Sequence, residues 1–131
     1  MNVSSRIRCL AVLATAISIL SGCGRSGDAA NDAPPRNPKE AASQLQRAFE
    51  TAPVEAKQNA DVASKAMRTG DYEKAVVTLQ VMRSAKDVTL EQGMAIHNSS
   101  VALEVRLINA MEAGDQNARR AYQLLKELKR N

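Results

Sequence analysis

A chain of 131 residues with 18 basic and 14 acidic side chains, one histidine and two cysteines has room for one small domain and a narrow choice of chemistry. It has no tryptophan, one phenylalanine and two tyrosines, so it lacks the aromatic rings interleaved with basic residues on which nucleic acid stacks. The formal charge of +4 falls to +2 without Arg6 and Arg8, too little to imply a polyanionic partner, and no nucleic acid is expected.

The chain opens with Arg6 and Arg8 in an otherwise uncharged stretch, followed by an apolar block from Cys9 to Leu20. A basic end, a short apolar segment and small residues after it are the layout of a secretory signal peptide. The block falls short of the roughly 20 apolar residues that a spanning helix needs, so export is expected rather than a transmembrane anchor. Leu20, Ser21, Gly22 and Cys23 then resemble the lipobox of bacterial lipoproteins, in which an apolar residue and two small ones precede an obligatory cysteine. The resemblance implies that residues 1–22 are a lipoprotein signal peptide, cut before Cys23, and that the Cys23 thiol carries a diacylglyceryl group while the new amino terminus is acylated. Gly24 stands where an aspartate commonly retains such proteins in the inner membrane, so in a two-membraned cell the resemblance implies the outer membrane, facing the periplasm.

One acyl chain gives marginal membrane binding, at about 0.8 kcal/mol per buried methylene, and stable anchoring takes two signals. Two or three chains on one residue pass that threshold, which makes a membrane the first expected partner, held through Cys23. Cys9 would leave with the signal peptide, so no internal disulfide and no zinc site of cysteine and histidine is expected. Carboxylates form no close cluster along the chain and no glycine-rich phosphate loop is present, so no cofactor is expected either.

Residues 23–37 contain the stretch "GRSGDAANDAPPRN", which has no large apolar side chain and reads as a flexible tether. Its fourteen residues from Gly24 reach at most roughly 46 to 50 Å when fully extended. Residues 38–131 are rich in Ala, Leu, Met, Glu, Lys, Arg and Gln, with Pro38, Pro53, Gly70, Gly93 and Gly114 as punctuation, which predicts an all-α domain of about five helices. The first helix starts at Pro38 and ends before Pro53, with Ala41, Leu45, Ala48, Phe49 and Ala52 on one face. The second, Val54 to Thr69, carries a shallow stripe of Ala56, Ala60, Ala63 and Met67; Gly70 is placed to end it and Asp71 to cap the next. The third, Tyr72 to about Ala85, has Tyr72, Ala75, Val76, Leu79 and Met82 as its main stripe, with Val77 and Val81 on another side.

The fourth helix opens with "TLEQ", where Thr89 and Gln92 are spaced for a reciprocal capping box, and runs to Ala113 unless it bends at Gly93 or at Ser99 and Ser100. It shows two apolar stripes, Leu90, Met94, His97, Val101, Val105 and Ile108 on one side and Ile96, Leu103, Leu107 and Ala110 on another, so two packing partners are expected. The last helix, Gln116 to about Arg130, buries Ala118, Ala121, Tyr122, Leu125 and Leu128 and ends in Lys126, Lys129 and Arg130.

"AMRTGD" at Ala66 to Asp71 recurs as "AMEAGD" at Ala110 to Asp115, a displacement of 44 positions, and each copy marks a helix that stops at glycine and restarts at aspartate. "GDYEKAVVTL" from Gly70 resembles the turn and second-helix start of a tetratricopeptide repeat, with Gly70, Asp71, Tyr72 and Ala75 at family spacing. The resemblance implies antiparallel helical hairpins stacked side by side. It departs from the family in its long period, in Met82 where a small residue is usual, and in a preceding helix without the customary large side chains. An irregular helical bundle with two similar turns is the alternative.

His97 is the one residue that invites a catalytic reading, with Ser100 three and Glu104 seven positions further along the same helix. A serine in mid-helix has its neighbouring backbone donors engaged and cannot build an oxyanion hole, so His97 is expected as a partly buried structural residue in its apolar stripe. The reading that follows is a non-enzymatic, lipid-tethered interaction module that binds another envelope protein or a copy of itself. Val77, Val81 and the second stripe of the fourth helix are its expected surface. The alternative is a small-ligand carrier or enzyme with a pocket between the third and fourth helices around His97 and Tyr72.

Overall fold

The computed structural model describes Pro35 and residues 37–130. The signal peptide over residues 1–22, the lipidated Cys23 and most of the 23–37 tether lie outside the described residues. Five helices follow one another, α1 (Pro38–Ala48), α2 (Val54–Thr69), α3 (Tyr72–Arg83), α4 (Leu90–Glu112) and α5 (Gln116–Arg130), and no strand occurs among the described residues. None of these helices is long and apolar enough to cross a membrane.

Local chemistry sets most of the ends. Asn37 caps α1 by accepting the Glu40 N–H at 3.0 Å, beside Pro38 in the first turn. The expected capping box of α4 is present: Thr89 Oγ1 accepts the Gln92 N–H at 3.2 Å, and Gln92 Oε1 accepts the Thr89 N–H at 3.1 Å. α3 stops at Arg83, short of Ala85, where the Ser84 hydroxyl donates to the Gln80 carbonyl at 3.0 Å.

The two echoed hexapeptides form the same turn. Gly70 and Gly114 have φ of +77° and +90°, and the following aspartate N–H reaches back to the first residue of each hexapeptide, Asp71 to Ala66 at 3.0 Å and Asp115 to Ala110 at 2.9 Å. The aspartates then differ. Asp115 Oδ1 accepts the N–H groups of Asn117 and Ala118, whereas Asp71 makes no side-chain cap bond, contrary to expectation.

The turns produce antiparallel pairs α2–α3 and α4–α5, with α3 packed on both members of the second pair. α1 lies against α2 and α4 and joins the two pairs on their other side. Eleven of the twenty-one buried apolar residues are alanine, which lets backbones approach closely, and Leu45, Leu103 and Leu107 supply the largest wholly buried side chains. Tyr122, Leu125 and Leu128 of α5 are half-buried rather than core.

Candidate interaction face on α4

α4 is held on one side only. Gln92, Ala95, Ile96, Ser99, Ala102, Leu103, Leu107 and Ala110 are buried against α1, α3 and α5. The opposite stripe, expected to pack, faces solvent instead: Leu90 is 83% exposed, Met94 53%, Val101 47%, Val105 54% and Ile108 36%. Small residues decided which side went inward. Ala95, Ser99 and Ala102 let α1 approach with Ala41, whose carbonyl accepts the buried Ser99 hydroxyl at 3.4 Å, and the larger side chains of the other stripe cannot offer that separation.

This reverses the assignment of the two stripes. The surface expected from Ile96, Leu103 and Leu107 is core, and Leu90, Met94, Val101, Val105 and Ile108 are the uncovered face. Val77 and Val81 on α3 are exposed as expected, at 46% and 54%. His97 travels with its stripe and is exposed, not partly buried.

Leu90, Met94, His97, Val101 and Ile108 recur at intervals of four, three, four and seven, the seam of a heptad repeat. Between Gln92 and Leu103 there is no charged side chain. Charges sit along the two edges. On the α1 side, Gln44 and Ala48 flank Leu90, Glu91 and Met94, while Pro38 flanks Val105 and Arg106. On the other side, Arg83 of α3 lies level with His97 and Ser100, and Lys129 of α5 donates to Glu104 at 2.7 Å.

The three residues of the catalytic reading border one shallow depression, but no hydrogen bond joins them among the described residues. Ser100 donates its hydroxyl to the Ile96 carbonyl at 2.9 Å, and Glu104 is held by Lys129. Tyr72 is buried with its ring beside Gly70 and lines a groove with Met67 and Val101, whereas His97 lines shallow depressions with Arg83 and Ser100. His97 and Tyr72, expected to share a pocket, therefore line separate depressions. An apolar cleft that sequence reasoning missed opens elsewhere, at the end of the bundle where the α1–α2 and α3–α4 connections meet. It has a volume of about 570 Å³ with Phe49, Pro53, Ala56, Met82 and Val88 in its walls. No signal could have located it, because its walls come from separate connections that only the fold brings together.

No group of three or more His, Cys, Asp or Glu side chains gathers as a metal site among the described residues. No protein-family model matches the chain, and no curated protein or solved structure is significantly similar to it.

Proposed function

We propose that this protein is a bacterial lipoprotein, anchored through Cys23 and tethered by residues 23–37, whose helical domain is a non-enzymatic interaction module in the cell envelope. Its hairpins resemble tetratricopeptide pairs, and its membrane is the outer one in a two-membraned cell. The observation that carries the reading is the row of five large apolar side chains exposed along α4. Single exposed apolar residues are ordinary, but five of them along one face of a single helix mark a docking face. A photoreactive side chain at Met94 in intact cells should form protein adducts, and the same side chain at exposed Lys65 on α2 should not. Equal labelling at both positions, or none at Met94, would reject the docking face.

The cleft walled by Phe49, Met82 and Val88 favours a second reading, carriage of a small apolar ligand, since its volume of about 570 Å³ falls within the usual range for ligand pockets. A cleft-filling Ala56→Phe substitution would abolish such carriage and leave the α4 adducts unchanged.

A further inference from the structure

We infer that the occupant of the α4 face is α4 of a second copy, antiparallel and related by a two-fold axis. The inference rests on the docking-face reading and on the Cys23 anchor, and it deepens both by naming the partner.

The stripe is balanced about its own middle. Leu90 and Ile108 lie eighteen residues apart, about 27 Å along the helix, with the uncharged segment around Asn98 and Ser99 between them. An antiparallel copy sets Leu90 against Ile108 of the second copy, Met94 against Val105, and His97 against Val101.

The charges on the edges fit the same arrangement. In a two-fold antiparallel pair each edge meets the same edge of the other copy with its direction reversed. On the α1 edge this brings Glu91, at the Leu90 end, to Arg106 of the second copy, at the Ile108 end. On the other edge it brings Arg83, level with His97, to Glu104 of the second copy, which Arg83 would share with that copy's Lys129. Glu91, Arg106 and Arg83 make no ion pair among the described residues, so each is available for one. Each contact occurs twice, which is how a self-complementary interface is built. An anionic bilayer is a poor occupant, because Glu91, Glu104 and Glu112 border the stripe together with Arg83, Arg106 and Lys129 and leave it no net positive charge.

The area sets the strength. A helix about 10–12 Å across and a stripe of about 27 Å present roughly 300 Å² per copy, against about 800 Å² per partner in a standard interface. Pairing is thus weak in dilute solution. Confinement to one membrane raises the concentration each copy experiences, as a linker does for two joined modules.

The test is thiol crosslinking of the full chain in its own membranes, with a short bifunctional reagent and the unsubstituted chain as background. Val101→Cys lies near the two-fold axis and should give at least about tenfold more dimer-mass product than Leu90→Cys, whose two copies end roughly 27 Å apart. Leu90→Cys co-expressed with Ile108→Cys should recover the product. Glu91→Arg added to Val101→Cys should lower it, and Arg106→Glu in the same chain should restore it. Equal product from Leu90→Cys alone overturns the antiparallel pairing. Product at Val101 of another mass only overturns self-pairing and leaves the docking face standing. No product above background overturns self-pairing as well.

Discussion

The hydroxyl of Ser64, wholly buried on α2, donates to the Ala42 carbonyl of α1 at 2.9 Å. From α4, the equally buried Ser99 reaches the adjacent Ala41 carbonyl at 3.4 Å. α1 is thus fastened on two sides through neighbouring carbonyls, and the two bonds differ in length enough to predict an order. Ser64→Ala should cost about 0.5–1.5 kcal/mol and Ser99→Ala less, since its bond lies at the long limit of hydrogen bonding. Denaturant titration of the chain from Gly24 onward measures both, and a larger loss at Ser99 would contradict the geometry.

Gly70 and Gly114 test the two hairpin turns. A Cβ at Gly70 would meet the Tyr72 ring only at ordinary contact distance, 3.8 Å, and one at Gly114 would meet nothing within 4 Å. Sterics with neighbours therefore add little, and the cost is that of the positive φ alone. Gly70→Ala and Gly114→Ala should each lose about 1–2 kcal/mol, and asparagine at either position should recover part of it. Thermal unfolding gives the comparison; a raised midpoint for either alanine variant would show that the turn is not held in the left-handed conformation.

The turns and caps were legible because they depend on a few adjacent residues. Gly70, Gly114, Thr89 with Gln92, and the helix start at Pro38 each carry their reason within one turn of chain. The inward face of α4 was not legible in the same way. Both stripes are apolar, and the larger side chains pointed to the wrong one, because closeness to α1 is set by Ala95, Ser99 and Ala102, whose value is smallness rather than hydropathy. His97 was misplaced for the same reason. Asp71 and Asp115 share a sequence context yet only Asp115 caps with its side chain, a difference that the repeated hexapeptide does not encode.

Membrane attachment is tested at one atom. If the Cys23 thiol is acylated, wild type should incorporate a labelled fatty acid and Cys23→Ser should not, and the variant should leave the membrane fraction. Label retained in Cys23→Ser would place the lipid elsewhere and remove the lipobox resemblance as its basis.

The two sides of α4 make opposite demands on stability, and one pair of truncations separates them. Leu107 is wholly buried, so Leu107→Ala removes packed methyl groups and leaves a cavity, at an expected cost of about 2–5 kcal/mol. Val105, two residues away, is 54% exposed. Val105→Ala should change the stability of the isolated chain by no more than about 0.5 kcal/mol, the usual range for a surface position. Under the dimer inference the same Val105→Ala reduces crosslinking through Val101→Cys, because it removes a contact made only between copies. A residue that matters for pairing and not for folding is what a docking face predicts. Stability loss at Val105 as large as at Leu107 would return the Leu90–Ile108 stripe to the core and withdraw α4 as a surface.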